Sequence, residues 1–355
     1  MPVPVRFTPD IEQVQPGESA TIGQLNDTFD MVLDTTAQDY GHAVRAVHAK
    51  AHAILEGTLT IDAGLPPELA QGLFATPGDH KVLMRLSTNP GDILDDAISV
   101  PRGLAIKVFD VDGDRLSGAE GRTQDFIMVN GKVFQAKDAD AFLGSLKLLA
   151  RTTDKAEGGK KLLSAALRGI NSALGAIGVE SAALNSLGGA PNVDPVGETY
   201  YSVTPFRYGE HIAKFSLAPV APGLKERTGA VIDTAENRDA IRATIRDELR
   251  SIAGEWEFRV QLAHDLSRQP VEDPTVEWDE QEVPFVRVGT IRTAAQDSWD
   301  DTRVDEVNEH LRFSVWTGIE AHRPLGNINR ARRDTYRHSA EYRQRVNGCP
   351  IREPA

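Results

Sequence analysis

The chain has 355 residues, a formal net charge of −13 and a pI near 5.2. That acidic balance argues against nucleic acid and anionic membrane as partners, while the length is enough to bury one large core. The lone cysteine, Cys349, excludes an intrachain disulfide framework and a cysteine metal cage.

The opening Met1-Pro2-Val3-Pro4-Val5 lacks a charged segment followed by an apolar core, so no secretory signal is read and a cytoplasmic location is expected. Between Ile22 and Ala43, the residues Leu25, Phe29, Val32 and Leu33 recur at helical spacing. Ile54, Leu55, Leu59 and Ile61 then form a β-like run, which puts His48 of Arg45-Ala46-Val47-His48-Ala49-Lys50 at a helix-to-strand junction. Met84 to Thr88 is a predicted short strand. Val100 to Phe109 is another, entered through a Pro-Arg-Gly turn, and Asp110 to Gly113 is a predicted hairpin turn. Phe126 to Asn130 and Val133-Phe134 follow, then a helix start at Lys137 to Phe142.

From about residue 151 to 196 the composition shifts to Ala, Leu, Gly and Lys. Leu163, Leu167, Ile170, Leu174 and Ile177 recur at helical intervals before Gly188-Gly189 and Pro191, predicting one or two helices packed on the rest of the chain. The alternative is an apolar lid over a channel. The segment is too glycine-broken and too polar to span a bilayer. Further strands are predicted at Tyr201 to Gly209, Ala213 to Leu217, Trp256 to Leu262, Thr275 to Trp278 and Pro284 to Ile291. The acidic run from Asp300 to Glu309 reads as a solvated helix, and Arg332-Arg333-Asp334-Thr335-Tyr336 precedes Arg343 by one heptad. His42, His52, His264 and His322 form no ligand-like pair at helical spacing.

In this order the segments resemble the heme-dependent catalase superfamily, from about residue 40 to 345, and the length resembles its small catalase-related peroxidase branch. The resemblance implies an α+β fold: an antiparallel β-barrel with surrounding helices. It implies a single heme domain over residues 1–355, with a short N-terminal arm and a helical insert at about 151–196. The implied cofactor is heme b. His48 matches the distal histidine, the proton carrier that O–O heterolysis on ferric heme requires. Ser87 matches the serine that fixes its tautomer, and Asn130 the asparagine that orients peroxide. A shifted alignment would instead bring Arg122 or Thr123 to the asparagine's place.

Tyr336 matches the proximal iron ligand. Ligation calls for the phenolate, and Arg332, one helical turn earlier, can supply the stabilising charge. Arg45, Arg85 and Arg343 stand at positions that contact the heme propionates, a task suited to the bidentate guanidinium fork. Val47 is expected to pack on the porphyrin, and Phe134 and Phe142 to line the distal side. Gln135 departs from the family, which keeps a second phenylalanine there, and no phosphate-cradling glycine loop supports NADPH binding.

The implied function is reduction or dismutation of hydrogen peroxide and small organic hydroperoxides, with a small-molecule electron donor as second partner and a homo-oligomeric assembly. An alternative is a fatty-acid hydroperoxide isomerase or lyase of the allene oxide synthase type, a group that places threonine where Val47 stands. A non-enzymatic heme carrier is a third reading, for which a complete distal set would be superfluous.

Overall fold

The computed structural model describes residues 3–150 and 189–354. Its strands are β1 (Ala51–Ile61), β2 (Gly78–Thr88), β3 (Arg102–Val108), β4 (Gln124–Val129), β5 (Tyr200–Tyr201), β6 (Phe206–Tyr208), β7 (His211–Pro219), β8 (Gly254–Leu262) and β9 (Val286–Thr293). The helices that matter here are α1 (Glu18–Tyr40), α2 (Ala139–Ala150), α3 (Ala240–Leu249) and α4 (Asn327–Asn347). All strand pairs are antiparallel, and β1-β2-β3-β4-β5-β7-β8-β9 closes on itself through the β5–β7 and β1–β9 pairs. The result is an eight-stranded antiparallel barrel with helices outside, the expected α+β fold. β6 continues the edge that β5 begins: β5 pairs with Ser216 and Leu217, β6 with His211 to Ala213.

Closure leaves no open edge, and alternation divides each strand between two environments. Inside lie Leu55, Met84, Ile106, Phe126, Phe215 and Phe258, all at most 1% exposed. Phe126 meets Phe258 at 4.8 Å and Phe215 at 4.9 Å, both edge-on, the geometry ring quadrupoles prefer. His322 is buried in this core and takes the Leu73 N–H on Nε2 at 3.0 Å. Burial pushes its pKa down to about 3, so the ring is neutral.

The other parity of β2, β3 and β4 faces outward, and the register sets two rows across the three strands. One is Ser87–Gly103–Val129 and the next Arg85–Ala105–Ile127. Glycine and alanine at the centre of these rows leave a hollow on the barrel's outer wall. α1 and α4 pack beside it, with Leu25, Phe29, Leu33, Ala331 and Tyr342 in one apolar cluster. α1 stops at Gly41, whose φ of 63° is the left-handed cap that glycine adopts without a Cβ clash.

Several predicted elements shift. The first helix starts at Glu18 and the second strand at Gly78, both earlier than the apolar spacing suggests. Arg102 and Gly103 already belong to β3 rather than to a turn. Asp110 to Gly113 is no tight hairpin, because the chain reaches β4 only at Gln124. Thr275 to Trp278 is a turn, not a strand. Trp278 is buried there, its carbonyl taking a hydrogen bond from Gln261 Nε2 at 3.0 Å. The predicted insert lies outside the described residues up to 188; beyond them Pro195–Gly197 is a short 3-10 turn. Among the described residues, no helix is long and apolar enough to cross a membrane.

The start of α4 is bound to the N-terminal arm through Arg330, which pairs with Glu12 at 2.8 Å, Glu18 at 2.6 Å and Glu272 at 3.0 Å. Burial opposes the charge on Glu18, yet hydrogen bonds from Arg330 and Asn327 keep its pKa below the ordinary value. Arg330→Met strands three carboxylates and should cost about 3 kcal/mol in urea denaturation near neutral pH. A carboxyl depressed in the fold stabilises above its unfolded pKa of about 4.3, so the loss should shrink on acidification.

Candidate active site

The hollow between the β2–β4 wall and α4 is a cavity of about 1630 Å³. That exceeds the roughly 300–1,000 Å³ usual for small-molecule sites. All eleven residues singled out from the sequence line it: Arg45, Val47, His48, Arg85, Ser87, Asn130, Phe134, Phe142, Arg332, Tyr336 and Arg343. Gln135 lines it too. The alternatives to Asn130 do not: Arg122 is exposed and paired with Asp112, and Thr123 is buried with its hydroxyl donating to Glu353.

His48 sits in the loop between α1 and β1 with φ 54°, a left-handed conformation that is strained for a residue with a side chain. Its N–H donates to the Asn89 carbonyl at 2.7 Å, and the next N–H to that of Pro90 at 3.0 Å. Nδ1 is 3.1 Å from Ser87 Oγ. The ring lies so close to β3 that a Cβ on Gly103 would fall 2.3 Å from Cε1 and 2.4 Å from Nδ1. Gly103, read from sequence as a turn residue, is thus the floor under the imidazole. Burial, then the charges of Arg85, Arg332 and Arg45, push His48 down to about 3. The ring is neutral at neutral pH, and of its two tautomers the one that donates Nδ1–H to Ser87 Oγ is the one with a lone pair on Nε2.

On α4 the cavity-lining residues Arg332, Tyr336 and Arg343 follow the helical repeat. Arg332 Nη2 donates to the Tyr336 hydroxyl oxygen at 3.2 Å, and its Nη1 to Asn329 Oδ1 at 3.3 Å. Asn329 is fixed in turn by the carbonyls of Leu325 and Pro205, which take its amide hydrogens. Tyr336 therefore presents its oxygen beside a braced guanidinium.

Three more guanidiniums meet at Asn308. Arg45 donates to the Asn308 and Val307 carbonyls at 3.0 and 2.9 Å, Arg85 Nε to Asn308 Oδ1 at 3.1 Å, and Arg343 to the Asn308 carbonyl at 2.6 Å. Each of these partners is a neutral oxygen. Burial and mutual repulsion lower Arg45 well below its ordinary value; burial and Arg343 bring Arg85 to about 9, and burial brings Arg343 to about 10. Arg343 Nε has no partner among the described residues. This corrects the reading of Asp300 to Glu309 as a plain solvated helix. Asp301–Asp305 is helical, but Glu306–His310 is a π-helical turn whose carbonyls receive these arginines. Sequence reading missed Asn308, Gly103 and Glu198, whose carboxylate takes a hydrogen bond from Asn130 at 3.1 Å.

Among the described residues, no cluster of three or more His, Cys, Asp or Glu is placed to hold a metal ion. The donors the cavity does gather are a phenol oxygen at Tyr336, an imidazole at His48, and three guanidiniums whose hydrogen bonds end on neutral oxygens. No family model matches the sequence, and no curated protein matches it. Solved structures do. A fungal catalase superposes with a TM-score of 0.60 at 17% identity, over 90% of this chain and 64% of its own. Catalase A from Saccharomyces cerevisiae gives 0.57 at 15%, over 88% and 63%. A bacterial catalase gives 0.56 at 14%, over 99% and 66%. The fold is catalase-like. The chain spans about two thirds of the length of each of these proteins.

With a folded pKa far below the unfolded value of about 6.5, folding is increasingly penalised as pH falls from there toward 3. The His48 ring signals should stay those of the neutral form from about pH 8 to about pH 5 by NMR. In Gly103→Ala, with the ring driven off β3 and Ser87, they should titrate nearer 6.5. An imidazolium signal in the unsubstituted protein at pH 6 would contradict the assignment.

Proposed function

We propose that the chain binds heme b through the Tyr336 oxygen and reduces hydrogen peroxide or small organic hydroperoxides, drawing electrons from a small-molecule donor. The observation that carries this reading is the convergence on one cavity of His48, Asn130, the Arg332–Tyr336 pair and guanidiniums held only by neutral oxygens. Heme, when bound, supplies the redox centre at which the O–O bond is cleaved. Arg332 would favour negative charge on the Tyr336 oxygen through a charge-assisted hydrogen bond. Arg45, Arg85 and Arg343 would take the propionates, which relieves their mutual repulsion. Neutral His48 would accept a proton on Nε2 from one peroxide oxygen and return it to the departing one, while Ser87 holds the tautomer. Asn130 would donate to the peroxide and so orient it.

Leu25, Phe29, Val32, Leu146 and Ile232 also line the cavity. This apolar stretch favours, as a second reading, a fatty-acid hydroperoxide isomerase or lyase on the same site. Val47 in place of threonine before His48 tilts the choice to the peroxidase. Assembly into a homo-oligomer is proposed with either.

The purified protein should carry one heme per chain, and Tyr336→Phe should lose it or shift its ferric spectrum. An unchanged spectrum and stoichiometry would refute the Tyr336 ligation.

His48→Ala should keep heme yet slow reaction with hydrogen peroxide about 10²-fold in stopped flow. A phenolic donor should raise turnover. Complete, donor-independent conversion of a fatty-acid hydroperoxide to an allene oxide or aldehyde would instead establish the second reading.

A further inference from the structure

Asn130 stands where β4 leaves the barrel wall, and both ends of its amide are engaged by the protein. Its Oδ1 accepts the Arg102 N–H at 2.9 Å, while its own backbone N–H donates to the Arg102 carbonyl at 3.1 Å. That ties the oxygen end to the first residue of β3, directly before the Gly103 that carries the His48 ring. At the other end Nδ2 donates to Glu198 Oε2 at 3.1 Å. A side-chain amide nitrogen has two hydrogens, so one remains for the cavity that Asn130 and Glu198 both line.

Glu198 is held as firmly as the group it holds. It follows the turn Pro195–Gly197, whose start is capped by Asp194 Oδ1 taking the Val196 N–H at 3.1 Å. Gly197 lies against the backbone of Arg227 and Thr228, where an added Cβ would meet Arg227 C at 2.3 Å. The Thr228 hydroxyl closes the contact by donating to the Gly197 carbonyl at 3.0 Å. Burial raises the Glu198 pKa, with Asn130 and Arg102 acting against it. In a cavity that gathers guanidiniums, a carboxylate adds nothing to recognition of an anionic ligand. It faces two groups instead: it opposes the charge of buried Arg102 and accepts the hydrogen bond from Asn130.

We propose that Glu198 is a positioning residue: with Arg102 it clamps the Asn130 amide so that only an N–H is offered to a ligand beside His48. The pocket then pairs one lone pair, on His48 Nε2, with one fixed donor. A hydroperoxide can satisfy both, giving a proton to the first and a lone pair to the second. The role in ligand binding rests on the heme reading above; the clamp does not.

Fluoride is the probe for the loaded protein, since it accepts hydrogen bonds and donates none. Losing one such bond is worth about 1–1.5 kcal/mol, so Asn130→Ala should weaken fluoride binding to the ferric protein about tenfold. Glu198→Leu should weaken it comparably, and the double variant no further than Asn130→Ala alone. Glu198→Gln, whose side-chain oxygen still accepts, should stay within about threefold of the unsubstituted protein. Unchanged affinity in Glu198→Leu, or additive losses in the double variant, would overturn the proposal.

A second measurement needs neither heme nor a variant at Glu198. In asparagine-¹⁵N-labelled protein, the Asn130 side-chain amide, assigned by its loss in Asn130→Ala, should show one proton, the one held by Glu198, exchanging with solvent more slowly than its partner and than the side-chain amide protons of exposed asparagines. Two protons that both exchange as fast as those of exposed asparagines would refute the clamp. A protein that binds no heme refutes the Tyr336 reading, and these signals then decide on Glu198 alone.

Discussion

Three guanidiniums around one asparagine, two of them buried and that of Arg45 partly so, set the terms for the rest of the cavity. Arg85 and Arg343 are 2% and 4% exposed, and their hydrogen bonds end on carbonyls and an amide oxygen. Neutral dipoles satisfy N–H groups but cancel no net charge; the Glu309 carboxylate favours the charged forms of Arg45 and Arg343, and against three guanidiniums it leaves the cluster positive. The same charges act on His48, helping to hold its imidazole neutral. The cluster that would fix an anionic group therefore also keeps the nearby base free of its proton.

The barrel makes this possible by separating its two faces. The inner parity of β2 to β4 belongs to a dry aromatic core, in which each buried large side chain contributes about 1.5–3 kcal/mol. The outer parity is released from that duty. Gly103 and Ala105 can stay small, Ser87 and Arg85 can be polar, and every other residue still stabilises the fold. Had the two parities been exchanged by a one-residue slip, Met84 and Ile106 would face the cavity and Arg85 the core. The interior thus guards the register that the site requires.

This division explains what could be read from the sequence. Strands with apolar residues at alternate positions were recognisable, as was the α4 face, because Arg332, Tyr336 and Arg343 repeat at helical spacing. Each distal candidate also lies in a short local motif. Gly103 escaped because its meaning is an absence, the missing Cβ beneath His48, a residue 55 positions earlier. Asn308 escaped because the acidic residues around it resemble those of any solvated helix; its role depends on arginines from the α1–β1 loop, β2 and α4. Glu198 gave no signal, since a carboxylate two residues before a strand is unremarkable until Asn130 meets it. The turn at Thr275 to Trp278 was misread because a buried tryptophan suits a strand equally well.

A site assembled this way tolerates displacement at few points. His48 is held in a strained backbone conformation by the Asn89 and Pro90 carbonyls, and its ring by Ser87 and the flat surface of Gly103. Asn130 is held from the same strand, one residue earlier, through Arg102. His48 and Asn130 are thereby referenced to adjacent residues of β3, a strand fixed between β2 and β4 in the barrel wall. Tyr336 and Arg332 come from α4, which reaches the loop carrying His48 through Ser339, whose Oγ accepts the Ala46 N–H at 3.1 Å. One rigid strand and one long helix define the two sides of the cavity. The loops between them serve to carry groups to positions that those two elements have already determined.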